Sequence, residues 1–303
     1  MPEYYCSKAP AKINLFLDIL RKREDGYHEI RTIFQSIALF DTLRFTIIPK
    51  GVFLSSDDPS LPLDSANTVF KAANALLESS KQKKGIEIFI EKRIPQKGGM
   101  GGGSSDGACA LYALNIIWEL GLPPEELLAI AAEIGSDLPF FLTGGTAAGV
   151  GRGEEVYPLP DAPPAWLVLG FPEEGVSTRE AYARAGTQLT GGASARRMMV
   201  AAAKVAEGSF TEDDLLNRFD STVLESDNGI LLYRDRLLEA GARKVMLSGS
   251  GSSWFAYTRS LDEAKSIHEK ISQRSERWAI VPTLDRGGFF RSITPTSKKE
   301  NLR

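Results

Sequence analysis

From Pro95 to Asp106 the chain reads Pro-Gln-Lys-Gly-Gly-Met-Gly-Gly-Gly-Ser-Ser-Asp, with glycine at five of the six positions 98–103. Glycine lets a backbone turn tightly and approach a ligand closely, and an idle run of it carries an entropic penalty. The preceding segment, Gly85–Ile94, alternates through Ile86, Ile88 and Ile90 and predicts a strand. Helical spacing follows over Ser104–Leu120, with Ala108, Leu111, Leu114 and Trp118 among its apolar positions. A glycine turn between a strand and a helix start presents unpaired N–H groups and the positive end of the helix dipole, which suits a polyphosphate. On this reading Pro95, Gly98, Gly99, Met100, Gly101, Gly102 and Gly103 form the phosphate loop. Ser104 and Ser105 cap the helix and donate to phosphate or bind a magnesium ion. Two familiar spacings do not fit. There is no Gly-x-x-x-x-Gly-Lys-Ser/Thr, and Gly99 and Gly101 are followed by Ser104 where a dinucleotide fingerprint has glycine. The competing reading is a flexible turn before a helix.

Other polar residues are ordinary taken singly. Lys12 lies in the expected strand Ala11–Ile19, where Ile13, Leu15 and Leu17 alternate with Lys12, Asn14 and Phe16. A lone lysine there is most often a solvated edge residue. Asp137 follows Gly135-Ser136 and precedes Leu138-Pro139, where a carboxylate commonly caps or turns the chain. Tyr27 and His28 follow the turn signal Asp25-Gly26 and could simply pack on the neighbouring strand. Ser248-Gly249-Ser250-Gly251-Ser252-Ser253 could be a plain hairpin.

Taken together and in chain order, Pro10-Ala11-Lys12-Ile13-Asn14-Leu15, the Pro95–Ser105 loop, Gly135-Ser136-Asp137-Leu138-Pro139-Phe140-Phe141 and Ser248-Gly249-Ser250-Gly251 resemble the GHMP family of small-molecule kinases. Asp25–Gln35 resembles the signature of the branch of that family whose acceptor is 4-diphosphocytidyl-2-C-methyl-D-erythritol, in non-mevalonate isoprenoid synthesis. The resemblance runs from about Lys8 to Pro282. It implies a two-domain α+β fold with the active site in the cleft between domains, ATP as phosphoryl donor and a need for Mg2+. It implies that Asp137 takes the proton of the acceptor hydroxyl and that Lys12 stabilises developing charge. Tyr27 and Tyr182 match positions that sandwich cytosine, His28 one that hydrogen-bonds to it, and Asn14 and Thr178 positions near the diphosphate or sugar alcohol. The Ser248–Ser252 loop matches one that supports the phosphate region. Three residues depart from the family pattern. Asp106 and Gly107 replace a usual asparagine and alanine, and Ser136 replaces an alanine. Asp106 would repel phosphate or help hold magnesium. The alternatives are a related kinase acting on homoserine or mevalonate, a decarboxylase of the superfamily, and a non-catalytic nucleotide-binding protein on the same fold. Tyr27, His28 and Tyr182 argue against the first two, and the retained Lys12 and Asp137 against the last.

The elements that must position these groups alternate irregularly, without the even βαβ spacing of a doubly wound sheet, so the class is α+β. After Ala11–Ile19 come a charged turn at Arg21–Tyr27, strand patterning over Ile30–Ile48 with a break at Phe40-Asp41, and a helix over Asn67–Lys81. A second helix spans Pro124–Ile134, and Ser136–Phe141 reads as a loop. The Pro-rich break Asp161–Pro164 suggests residues 1–160 as an ATP-binding domain and 161–303 as a domain that completes the substrate cleft. Beyond it are expected a strand at Ala165–Gly170, helices near Glu180–Ala185, Ser194–Ala206 and Thr211–Leu216, and a strand pair at Lys244–Leu247 and Trp254–Thr258. A helix at Leu261–Ser272 and a strand at Trp278–Pro282 follow, and the polar tail Pro295–Arg303 is expected to be disordered.

Composition sets the setting. With 303 residues, 43% of them hydrophobic, the chain is long for one core. A net charge of -3 gives no electrostatic case for nucleic acid or anionic membrane. No apolar run approaches a membrane span, and no secretory leader is expected at the N-terminus. Cys6 and Cys109 fit a reducing, cytoplasmic setting, and with His28 and His268 the only histidines no metal site is expected. Oligomeric state is not legible.

Overall fold

The computed structural model describes residues 3–80, 82–173, 181–182, 193–224, 229–272 and 276–299. Two long strands, β1 (Glu3–Lys22) and β2 (His28–Ile48), pair antiparallel and carry most of the early site residues. The turn between them forms as its sequence predicts: Gly26 takes φ +85°, and the Asp25 carboxylate accepts the Tyr27 N–H at 3.0 Å. The expected break at Phe40-Asp41 is not a strand end. It is a register shift, where Pro10 faces Phe40 but Ala11 faces Ile37, and β2 continues through it.

The chain continues through β3 (Val52–Ser56), α1 (Thr68–Ser80), β4 (Gly85–Glu91), α2 (Gly102–Ile117), α3 (Pro124–Ile134), α4 (Leu138–Thr143), β5 (Thr146–Val150) and β6 (Glu155–Pro158). Then come β7 (Trp166–Gly170), α5 (Ala193–Ala206), β8 (Leu216–Asn217), α6 (Phe219–Leu224), α7 (Gly229–Glu239), β9 (Val245–Leu247) and β10 (Trp254–Thr258). The last elements are α8 (Leu261–Ile271), β11 (Trp278–Pro282), α9 (Arg286–Ile293) and β12 (Thr296–Lys299). One sheet has the order β12-β1-β2-β4-β3, with β5 bridging β2 and β6, and β8 beside β1; the other has the order β11-β7-β10-β9. The change of sheet falls between β6 and β7, but β8 and β12 return to β1.

Both faces of β1 and β2 are therefore covered. Ala9, Phe34, Leu43 and Phe45 pack with Val69, Leu76, Ala108 and Leu111 of α1 and α2. Ala11, Ile13 and Leu15 share a second core with Leu167, Leu169 and Phe255 of the other sheet. A third core joins α7 and α8 to that sheet through Leu237, Ile267, Val168 and Trp254. Each large apolar side chain buried in these layers contributes roughly 1.5–3 kcal/mol.

Several expectations change. Ser136–Phe141 is not a loop, because Pro139 sits in the first turn of α4, where its missing N–H costs nothing. The expected helix Thr211–Leu216 is a single 3-10 turn, Glu212–Asp214, closed by a Thr211–Asp214 capping box and followed by β8. The tail is not wholly disordered: Thr296–Lys299 pair with Glu3–Cys6 as the polar outer strand of the first sheet. α2 begins two residues before Ser104, inside the glycine run. Of the expected helix Glu180–Ala185, only Ala181 and Tyr182 lie within the described residues.

α9 closes the first core with Phe289 and Ile293. Its first residue, Arg286, donates to the carbonyls of Thr143, Gly144, Thr146 and Leu159 at 2.8–3.4 Å. One guanidinium thus holds the end of α4 against β5. Arg286→Ala should destabilise the chain by about 2–3 kcal/mol, because charged hydrogen bonds are lost and carbonyls are stranded. Urea unfolding of both proteins checks this, and an unshifted midpoint would show that water replaces the guanidinium.

Candidate active site

After β4 the backbone reverses through Pro95–Gly101, with Lys97, Gly99 and Gly101 all at positive φ. Two of the glycines answer to neighbouring protein. A Cβ on Gly99 would lie 1.9 Å from the Ser248 carbonyl oxygen, and one on Gly101 would lie 2.8 Å from the Phe141 ring. Gly101, at φ 71°, is the N-cap of α2 and supplies no capping side chain. The helix's first N–H groups consequently have no partner within the helix. Gly103 at this end is exposed and Ser104 half-buried. Not every residue of the loop faces outward. The Met100 side chain is in the core, while its carbonyl accepts the Lys12 N–H at 3.1 Å. The buried Ser105 hydroxyl donates to the Pro10 carbonyl at 2.6 Å and ties α2 to β1.

The Ser248–Ser253 turn joins antiparallel β9 and β10, and it docks on the first loop. Ser252 N–H donates to the Lys97 carbonyl at 3.2 Å and Ser253 N–H to that of Gly98 at 3.3 Å. The Ser248 hydroxyl donates to the Gly99 carbonyl at 3.1 Å. From beneath, Asn217 Nδ2 donates to the carbonyls of Leu247 and Gly249 at 2.7 and 2.8 Å, and Asp220 Oδ1 accepts the Leu247 N–H at 3.1 Å.

Lys12 stands where these loops meet. It is only 5% exposed. Its Nζ donates to Asn14 Oδ1 at 2.8 Å, Asn14 Nδ2 donates to Thr32 Oγ1 at 2.7 Å, and Thr32 Oγ1 donates to the Phe16 carbonyl at 2.7 Å. A Cβ on Gly249 would lie 3.1 Å from Nζ. Burial pushes the Lys12 pKa below the ordinary lysine value, and the Asp137 charge opposes that shift. Asp137 occupies the N-cap position of α4, yet its side chain makes no capping hydrogen bond. It is not spent as the cap that its sequence context suggests. Its Oδ1 lies 3.9 Å from where a Cβ on Gly153 would be.

Of the aromatic residues, His28 and Tyr182 come together, and Tyr182 feels the Asp137 charge. The rings of His28 and Tyr182 stack at 5.0 Å and 23°, and Tyr182 meets Phe219 edge-on at 4.8 Å. Burial raises the Tyr182 pKa and the Asp137 charge raises it further, so this ring and the carboxylate share one region. Tyr27 is 56% exposed, and the Arg152 guanidinium lies 4.9 Å from its ring centre. Burial, then Lys22, lowers the His28 pKa and favours the neutral imidazole. Thr178 lies outside the described residues.

Asp106 does not face the loop mouth as expected. It is 2% exposed and pairs with Lys92 at 2.6 Å. Thr32, Asn217 and Asp220 were not singled out in sequence. Thr32 lies inside a recognised motif with no chemistry of its own to flag it, and Asn217 and Asp220 act on backbone distant in sequence. Among the described residues no group of three or more His, Cys, Asp or Glu is placed to hold a metal. A buried ammonium, an uncapped carboxylate and an open helix N-terminus can bind phosphate and move a proton from an alcohol.

Residues 67–145 match the family described as GHMP kinases N terminal domain. A relative from Carboxydothermus hydrogenoformans, 4-diphosphocytidyl-2-C-methyl-D-erythritol kinase, is 41% identical over 90% of this chain and 95% of its own length. The Enterococcus faecalis protein of the same name is 38% identical over 91% and 98%. A crystal structure of 4-(cytidine 5'-diphospho)-2C-methyl-D-erythritol kinase, 31% identical, superposes with TM-score 0.75 over 92% of this chain and 98% of that one. L. major mevalonate kinase, solved in complex with R-mevalonate, shares the fold at TM-score 0.69 and 17% identity, covering 92% of this chain and 96% of its own. With this two-sheet α+β fold and relatives matched over nearly their whole length, the chain belongs to the 4-diphosphocytidyl-2-C-methyl-D-erythritol kinase family of the GHMP kinases.

Proposed function

We propose that this chain transfers the γ-phosphoryl group of ATP to the 2-hydroxyl of 4-diphosphocytidyl-2-C-methyl-D-erythritol, a step in isoprenoid precursor synthesis. The observation that carries the reading is the buried Lys12 ammonium, electrostatically coupled to the uncapped Asp137 carboxylate, beside the N-terminus of α2. Asp137 orients the acceptor hydroxyl and accepts its proton. Lys12 stabilises charge on the attacking oxygen and on the phosphoryl group in transit. Asn14 and Thr32 hold the ammonium in place. The N–H groups of the first turn of α2, with Gly103 and Ser104 at its open end, bind the ATP phosphates. A magnesium ion held chiefly by the nucleotide's phosphates and water, with the Ser104 hydroxyl as a protein ligand, would neutralise phosphate charge. That fits a site without clustered carboxylates.

On the acceptor side, Tyr27 and Tyr182 stack on cytosine and neutral His28 reads its edge. By family resemblance, Asn14 and Thr178 serve the diphosphate or sugar alcohol. Residues 1–160 supply the nucleotide loop and 161–303 the Tyr182 and Ser248 sides of the cleft. A cytoplasmic setting accords with the free thiols of Cys6 and Cys109.

Asp137→Asn should lower kcat by ~10²–10⁴ and leave ATP affinity nearly unchanged. Single-turnover kinetics with nucleotide titration measures both, and near-normal turnover would remove Asp137 from the mechanism. Lys12 supplies a pH test. Rising pH deprotonates lysine, and a lowered pKa brings that loss to a lower pH. The alkaline limb of kcat/KM should therefore fall below the ordinary lysine range, and Lys12→Arg, if active, should lack it. A limb unchanged in Lys12→Arg would assign it to another group. The acceptor base is tested with Tyr182→Phe, which should be nearly silent, and Tyr182→Ala, which should lose ~1–3 kcal/mol of cytidyl-substrate binding at unchanged ATP affinity. A panel with homoserine and mevalonate accompanies these variants, and preference for either acceptor over the cytidyl compound would overturn the substrate assignment.

A further inference from the structure

Three ionisable side chains that the proposed chemistry does not use converge at the neck of the glycine loop. Asp41 comes from β2, Lys92 directly follows β4, and Asp106 is in the second turn of α2. Their side chains are 0%, 6% and 3% exposed. Lys92 Nζ pairs with Asp41 Oδ2 and, at 2.6 Å, with Asp106 Oδ2. The other oxygen of Asp41 accepts the N–H groups of Arg93 and Ile94 at 2.5 and 2.8 Å, the last two residues before Pro95. On the far side of the loop, a Cβ on Gly102 would lie 3.0 Å from Ile94 Cγ2 and 3.5 Å from Asp41 Oδ2. The residues entering the loop and those leaving it thus meet at one carboxylate, and Lys92 ties that carboxylate to α2.

We infer that Asp41, Lys92 and Asp106 clamp the neck of the phosphate loop, and that Lys92 and Asp106 are positioning residues for ATP. This rests on the reading that Pro95–Ser105 holds the phosphates. Its physical basis is the geometry of the grip. Phosphate is held by the first N–H groups of α2, and their aim depends on where the helix starts relative to the end of β4. Buried ion pairs add little net stability, because desolvation offsets attraction. Their use here is to hold two backbone segments at one separation. Two carboxylates against one ammonium leave an excess negative charge, and Asp106 Oδ1 is buried without a hydrogen-bond partner in the structure. An amide at position 106 would remove the excess charge and still offer an oxygen to Lys92 and an N–H to Asp41.

The test compares wild type with Asp106→Asn, Asp106→Leu, Lys92→Met/Asp106→Asn and Gly103→Val. MgATP affinity is read by calorimetry, and KM is read for both substrates. Asp106→Asn keeps an oxygen for Lys92 and an N–H for Asp41, and it should stay within about twofold of wild type for ATP. Asp106→Leu should weaken ATP about ten- to a hundredfold, with the acceptor KM unchanged, because small displacements of a binding frame carry large penalties. If that variant fails to fold, the double variant, which leaves only Asp41 charged and still bonded to two N–H groups, should show the same selective loss. Normal ATP binding in either folded variant, or equal effects on both substrates, overturns the clamp. So does failure of both to fold while Asp106→Asn is normal, since that marks the cluster as structural support alone. Gly103→Val separates the two readings. A Cβ there would meet nothing closer than Thr68 Oγ1 at 3.9 Å, so the valine blocks ligand and not protein. If Gly103→Val leaves ATP binding intact, the phosphate-loop reading itself fails. If it weakens ATP while Asp106→Leu does not, only the clamp fails.

Discussion

A buried ammonium organises the centre of this molecule. Lys12 projects from β1 with 5% of its surface exposed, and a charge in that position costs several kcal/mol unless it is compensated. Compensation comes from Asn14 two residues along the strand, from the Phe34 ring 5.7 Å away, and from the field of Asp137. None of these could be in place unless β1 were sandwiched between helices on one face and the second sheet on the other. The glycine loop is fastened to the same residue through its backbone N–H, which donates to Met100. Strand pairing, loop placement and the position of α4 all converge on that one side chain.

The two glycine-rich loops illustrate how ligand logic and packing logic coincide. Read alone, a run of glycines points to a close approach by phosphate. The structure adds a second reason. Gly99 lies against the Ser248 carbonyl and Gly101 against Phe141 and Lys12, so neither position has room for a side chain even with no ligand present. Gly103 has that room, and it lies in the first turn of α2, where an unpaired N–H meets solvent. Protein packing thus accounts for part of the glycine run and leaves Gly103 open, and the loop's hydrogen bonds to the turn between β9 and β10 join the two sheets.

Much of the precision comes from side chains that touch no ligand. Asn217 and Asp220 satisfy both backbone groups of Leu247, just ahead of the second loop. Asp41 satisfies the two N–H groups ahead of the first. Arg286 closes the carbonyls at the end of α4. Irregular backbone buried between packed elements lacks ladder partners, and unpaired groups there are costly. Fixed polar side chains provide the partners and fix loop positions in doing so.

Local pattern is enough to read α1, α3 and β4, because each buries one face with a regular period, and β10, a short apolar run buried on both faces. It also sets the glycine loop between a strand and a helix. Motif resemblance added Lys12, Asp137 and the aromatic residues, and the structure brings Lys12, Asp137, His28 and Tyr182 into one region. Three features show why the rest is not legible. α4 reads as a loop in sequence, because Gly135, Ser136 and Pro139 signal turns unless the proline falls in the first turn of a helix. β12 reads as a disordered tail in sequence, because a polar edge strand exists only where β1 offers it a ladder. Asp106 reads as a charge near the phosphates that repels them or helps hold magnesium, because its true direction depends on Lys92 and Asp41, whose side chains reach it only after β2, β4 and α2 have packed. Sequence determines residue types and local periods. Which way a polar side chain points, and whether a carboxylate caps, pairs or stays free for chemistry, is decided by distant partners, because burial forces each charge to find one.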